Sequence, residues 1–201
     1  MGRCFPFFYD LGMKQLEEKR FKQIRRKLLG KASGRVLEIG SGTGINLPFY
    51  RNVERVDAVE PNPFMRKKAE VRMRAASVPI QFHGENAGDL PFRDSTFDTI
   101  VATLVFCTIP DPHKALREIL RVSKPGAKLL FFEHVKMEQP VLAMIQNALT
   151  PLWKKVCDGC HLNRDTLSLF KNAGYEVIKV KQYYKGFFIA GVCRKTEKRT
   201  N

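Results

Sequence analysis

The chain has 201 residues, 44% of them hydrophobic, enough to bury the core of one α/β domain and too few for two. No apolar run approaches the roughly 20 residues that span a bilayer, Met1 to Phe8 lacks the pattern of a secretory signal, and five cysteines, an odd number, suit reduced thiols in the cytoplasm better than a disulfide framework. The formal net charge of +15 fits an anionic partner or a merely solvated basic surface, because the lysines and arginines are spread out with no single dense run.

Phe5, Phe7, Phe8 and Tyr9 form an aromatic cluster, suited to close over a crevice as a lid or to staple the N-terminus to the core. From Lys14 to Leu29, the apolar residues Leu16, Phe21, Ile24 and Leu28 recur at near-helical spacing among Lys14, Lys19, Arg20, Lys22, Arg25, Arg26 and Lys27. The spacing predicts a basic amphipathic helix packed on the domain, and residues 14–29 are the candidate surface for peripheral contact with an anionic membrane. Residues 1–31 are accordingly read as a cap, 32–195 as the main domain with an insertion at 135–170, and 196–201 as a polar tail.

Val36-Leu37-Glu38-Ile39 is an apolar run of strand length that breaks into Gly40-Ser41-Gly42-Thr43-Gly44. Glycine tolerates positive φ and lets a ligand approach the backbone, so this reads as a strand feeding a tight turn, with Asn46 and Leu47 opening a helix. A dinucleotide fingerprint would need a glycine where Ile45 stands, and a carboxylate at Glu38 is ill placed beside a pyrophosphate. Arg55 to Glu60 is a second strand followed by Pro61-Asn62-Pro63 and a helix from Phe64 to Ala76. Ile80 to His83 is a third strand, and Gly84 to Phe92 a loop rich in turn formers.

Phe97 to Ala102 runs as a fourth strand, delivering Thr103, Leu104, Val105, Phe106 and Cys107 to its carboxyl end. A helix from Pro112 to Val122 leads into a fifth strand, Lys128 to Glu133, with His134 just past its end. An apolar helix from Val141 to Leu149 stops before Pro151-Leu152-Trp153, and Asn163 caps a further helix ending at Gly174. Cys157 and Cys160 with His161 lack a second cysteine pair at ligand spacing, so no metal is expected there. Glu176 to Tyr184 and Phe187 to Arg194, joined through Lys185-Gly186, form an antiparallel hairpin. The whole is an α/β fold: a doubly wound, mostly parallel seven-stranded sheet closed by that hairpin.

The acidic-x-Gly-x-Gly-x-Gly stretch from Glu38 to Gly44, Glu60 at the tip of the second strand, the Asn86 loop and the terminal hairpin together resemble the class I S-adenosylmethionine-dependent methyltransferases. The resemblance covers most of the chain and implies a Rossmann-like fold with S-adenosyl-L-methionine as cofactor. It places Glu38, Gly40, Ser41, Gly42, Gly44 and Asn46 around the cofactor's amino acid end, with Glu38 as acceptor for its ammonium. Glu60, with Pro61 and Asn62 beside it, is to take the ribose hydroxyls; the Asn86 side chain and the Ala87 backbone are to meet adenine, although many such enzymes carry an acid where Asn86 stands. Thr103 and Leu104 are assigned to the methionine portion.

The acceptor side is read from Tyr9, Phe106, Cys107, Trp153 and Asp158 as substrate contacts and from His134 as candidate general base. The segments 103–107, 133–135 and 158–164 look like those of the membrane-associated alkyl thiol methyltransferases of the methyltransferase-like group, whose N-terminal hydrophobic anchor is not expected here. The expected activity is methyl transfer to a small, lipophilic acceptor such as a thiol. Quinone-precursor C-methylation and phospholipid N-methylation are the alternatives; RNA methylation, with neither an appended RNA-binding domain nor a base-methylation motif, and a non-catalytic cofactor sensor rank behind them, and no nucleic acid partner is expected.

Overall fold

The computed structural model describes residues 20–196. Tyr9, the remaining aromatic cluster and the first part of the basic helix lie outside the described residues. Helix α1 (Lys22–Leu29) turns Ile24, Leu28 and Leu29 into the core beside Phe21 and exposes Lys22, Arg26 and Lys27. Its apolar stripe is thus spent inward, as the amphipathic spacing requires. The buried face also carries Arg25, 3% exposed.

Seven strands follow: β1 (Arg35–Ile39), β2 (Arg55–Val59), β3 (Ile80–His83), β4 (Phe97–Thr103), β5 (Ser123–His134), β6 (Tyr175–Tyr183) and β7 (Phe188–Lys195). They lie in the order β3-β2-β1-β4-β5-β7-β6. The first five are mutually parallel, and β7 runs antiparallel to both neighbours as it slots between β5 and β6. Strands buried on both faces read as near-continuous apolar runs, which is why Phe97–Thr103 and Leu129–Phe132 were legible. Alternate residues feed two cores. Val36, Val56, Val101, Leu130 and Phe132 meet α1 and helix α2 (Pro63–Arg74) on one face. Leu37, Ile100, Leu129 and Phe131 meet helix α3 (Pro112–Val122) and helix α5 (Thr166–Asn172) on the other.

Several boundaries differ from expectation, each for a local reason. The helix expected after the glycine turn is a single 3₁₀ turn, Leu47–Phe49, ending in extended Tyr50, whose buried hydroxyl donates to Glu38 Oε2 at 2.8 Å. Strand β5 starts at Ser123, five residues early, through an irregular pairing of Phe97 with Ser123 and Thr99 with Lys128. Helix α4 runs from Pro140 to Val156 straight through Pro151. Its middle is pinned by Gln146, which donates to the carbonyls of Val135 and Leu162 at 3.0 and 2.9 Å and accepts from the Met137 N–H at 2.8 Å. The cap of α5 is Asp165, accepting from the Ser168 N–H at 3.1 Å, whereas the Asn163 amide donates to Asn147. The final connection is a 3₁₀ turn, Tyr184–Gly186, wider than the two-residue hairpin expected. No helix among the described residues is long and apolar enough to cross a membrane, yet α4 exposes Val141, Met144, Leu149, Leu152 and Val156.

Candidate active site

A cavity of about 940 Å³ opens at the carboxyl ends of β1, β2 and β4, where a doubly wound sheet places its ligand crevice. Gly40, Ser41, Gly42, Asn46, Glu60, Pro61, Asn86, Ala87, Thr103, Leu104 and Asp158 all line it, so the structure gathers eleven of the sequence-predicted residues. The glycines differ in purpose. At Gly40 (φ +62°) a Cβ would sit 2.2 Å from Val105 Cγ2, so packing excludes one; at Gly42 (φ +55°) a Cβ would meet no protein atom within 4 Å, so the space in front of it is the cavity itself.

Glu60 stands at the tip of β2, 6% exposed. Its Oε2 accepts the Gly42 N–H and its Oε1 the Asn62 N–H, both at 2.9 Å. Burial raises its pKa, opposed by those two hydrogen bonds and by Arg66. Each carboxylate oxygen keeps acceptor capacity, which suits a vicinal diol. Asn62 sits behind, capping α2 through the Phe64 N–H at 2.9 Å; Gly44 likewise backs the turn without lining the cavity.

Glu38 requires a correction. It is 1% exposed, and its oxygens are taken by Asn46 Nδ2 and the Tyr50 hydroxyl, each at 2.8 Å. A carboxylate so enclosed cannot receive an ammonium directly. Asn46 Nδ2 also donates to Thr103 Oγ1 at 2.9 Å, and Arg25, missed from sequence, donates to Asn46 Oδ1 at 3.0 Å and to Thr103 Oγ1 at 2.7 Å. Asn46, Thr103 and Arg25 are the lining, and Glu38 is the charge beneath them. Its pKa is pushed up to about 7, by burial above all, against the hydrogen bonds from Asn46 and Tyr50 and the nearby Arg25. The signal for Arg25 was in the spacing: a cation on the same helical face as Leu28 and Leu29.

The acceptor end departs further from expectation. Phe106 is fully buried against Phe170, Cys107 is 2% exposed, and neither lines the cavity. The chain folds them inward because Glu133 Oε1 accepts the N–H groups of Val105 and Phe106 at 3.0 and 3.2 Å, while Leu104 takes a left-handed φ of +54°. Trp153 lies on α4, 42% exposed. His134, 8% exposed, has Nε2 3.1 Å from Cys160 Sγ and an enclosed Nδ1 without a partner; it stands behind the wall rather than in it. The lining there is made instead by Thr108, Ile109, Pro110, Lys154, Gly159 and His161, none of them among the expected substrate contacts, although Gly159 and His161 fall in the segment 158–164 that carries the resemblance.

The crevice fits a sulfonium nucleoside. Ser41 Oγ is buried in its lining without a hydrogen-bond partner, the Gly42 backbone is open to it, and Glu60 offers paired acceptors. A methyltransferase domain model matches residues 37–131. Rat thiol S-methyltransferase TMT1B is 38% identical over 84% of this chain and 72% of its own length, and human thiol S-methyltransferase TMT1A is 30% identical over 89% and 78%. Among solved structures, an S-adenosylmethionine-dependent methyltransferase from Thermotoga maritima superposes with a TM-score of 0.69 at 20% identity, covering 97% of this chain and 98% of that one.

Proposed function

This chain belongs to the S-adenosylmethionine-dependent methyltransferases, and we propose that the acceptor it methylates is a small lipophilic thiol. The observation that carries this reading is the likeness to two proteins named thiol S-methyltransferases, which extends well past residues 37–131 and so reaches beyond the cofactor half. The apolar content of the acceptor end, Ile109 and Pro110 beside Leu104 and Val105, supports a lipophilic partner, and so does the exposed apolar side of α4. A reducing cytoplasm, in which a thiol stays a thiol, suits such a substrate.

S-adenosyl-L-methionine, when bound, supplies an electrophilic methyl group on a sulfonium. The residues that hold it are Glu60 for the ribose, the Gly40 to Gly42 backbone and Ser41 for the turn side, Asn86 and Ala87 for the base, and Asn46, Thr103 and Arg25 at the amino acid end. Orientation supplies much of the rate in a transfer of this kind, since the reacting atoms must lie in line and close. Ile109, Pro110 and Leu104 exclude water from the acceptor side. Lys154, beside His161 in the lining, favours the thiolate over the thiol, and the thiolate is the nucleophile.

Purified protein with methyl-labelled S-adenosylmethionine, offered lipophilic alkyl thiols, polar amines, phosphatidylethanolamine and a hydroquinone precursor, tests this directly. The expected product, identified by mass spectrometry, is the S-methyl thioether. Methylation of the amines or the phospholipid with no turnover of thiols would overturn the acceptor assignment while leaving the enzyme class intact.

A further inference from the structure

Behind the acceptor wall, three residues far apart in sequence meet. Cys107 lies in the turn after β4, His134 ends β5, and Cys160 belongs to the loop after α4; they are 2%, 8% and 8% exposed. One donor atom from each, two Sγ and an imidazole nitrogen, lies within 4.8 Å of the others. We propose that Cys107, His134 and Cys160 form a Cys₂His site for a soft divalent cation, zinc by ligand type, that fastens these three segments together.

Size supports this first. Zinc bonds of about 2.3 Å to sulfur and about 2.0 Å to nitrogen, at tetrahedral angles, put the donors about 3.5 to 3.8 Å apart. The His134 Nε2 to Cys160 Sγ distance is 3.1 Å, so the shell closes on a cation through side-chain adjustments of about 1 Å or less. Cys107 contacts the Leu104 carbonyl weakly, at 3.7 Å, and otherwise meets Cys160 of the same cluster.

Polarity is the second argument. Buried polar atoms in folded proteins have partners, yet Glu133 Oε2 has none, and Glu133 interacts electrostatically with His134 and Cys160 of the cluster. The charges facing it are those of Glu133 and Arg164; Arg164 itself donates to the carbonyls of Phe106 and Ile109. Those two charges offset one another, so a doubly charged ion that displaced one proton from each thiol would leave the site neutral.

Cys157 is outside the cluster. It is the other half of the C-x-x-C pair, only partly buried, so the short sequence motif misstates the site: the second sulfur comes from Cys107. Three protein ligands leave one coordination position. Thr108, Gly159 and His161, chain neighbours of the two cysteines, line the cavity, so a cation here braces the acceptor wall from one layer behind. The inference stands apart from the acceptor reading, because it concerns metal alone.

The test is titration of chelator-dialysed full-length protein with zinc chloride and, separately, cobalt chloride. Expected are one zinc per chain retained after gel filtration, a rise in melting temperature with zinc, and a cobalt spectrum with sulfur-to-metal charge transfer and four-coordinate visible bands. Cys107→Ser and Cys160→Ser should each weaken zinc binding about a hundredfold or more, and Cys157→Ser should leave it unchanged. The proposal is overturned if the wild-type protein retains no stoichiometric zinc, if its cobalt spectrum lacks thiolate charge transfer, or if anaerobically purified protein holds Cys107 and Cys160 in a disulfide. The wild-type spectra decide the matter even if a serine variant does not fold.

Discussion

The two ends of the crevice are built on opposite terms. Beneath the amino acid end the side chains are tied to one another, Glu38 to Asn46 and Tyr50, Asn46 to Thr103, and Arg25 to both Asn46 and Thr103, while Ser41 Oγ in the lining is left without a partner. At the acceptor end the backbone takes left-handed turns at Leu104 and Asp158, two buried polar atoms lack partners, and the adjoining helix shows apolar side chains to solvent. A saturated network preorganises a site for one invariant ligand. The other end stores strain and polarity of the kind that gathers where a site must act on its substrate. The cofactor half is thus a general device, and selectivity is decided in the other half.

The strongest way to test this division is Glu60→Ala. Loss of two charge-assisted hydrogen bonds, each worth about 1.5 to 3 kcal/mol, should weaken cofactor binding about a hundredfold or more by calorimetry, with the acceptor KM at saturating cofactor little changed. Equal losses on both would mean that the halves are not separable. Ile109→Ala probes the opposite end. Truncating part of an apolar wall should cost about tenfold in kcat/KM for a lipophilic thiol, and the cofactor Kd should hold within about twofold.

The smallest effect is the pH response of Glu38. Its pKa in the folded protein, about 7, lies above the ordinary carboxylate value, so the folded state binds this proton more tightly than the unfolded one. The resulting stability is present below about pH 4.5 and is lost as pH rises through 7, by an amount on the order of 3 kcal/mol. Cofactor affinity should move the other way. A cationic ligand favours the ionised carboxylate, so binding should strengthen severalfold between pH 6 and pH 8. Calorimetry across that range on wild type and Glu38→Gln would check it; a slope that persists unchanged in the variant would assign the titration elsewhere.

What could be read from the chain alone follows the same division. The glycine turn, Glu60 and the Asn86 loop were legible because their chemistry is local: a strand end, a turn and a cap within a few residues. Even so, the role of Glu38 came out wrong, since nothing local reveals that Tyr50 returns to cover it. Arg25 was lost among neighbouring cations, although its place on the helical face of Leu28 and Leu29 sets it apart. At the acceptor end the relevant neighbours come from the exits of β4 and β5 and the loop after α4, a tertiary fact without local periodicity. Pro151 misled for a related reason: proline ordinarily interrupts a helix, but α4 continues through it, held in place one turn earlier by Gln146, which bonds to Val135, Met137 and Leu162.

The placement of β7 bears on how the molecule is made. Because β7 enters between β5 and β6, a nascent chain emerging from the ribosome exposes the apolar flank of β5 until β7 has been synthesised. Pairings of long sequence separation form slowly, and unpaired edges invite association. Removing β7 would therefore leave an open, adhesive edge in place of a slightly shorter enzyme, and refolding yield should depend on this closing step more than on the glycine turn where the ligand sits.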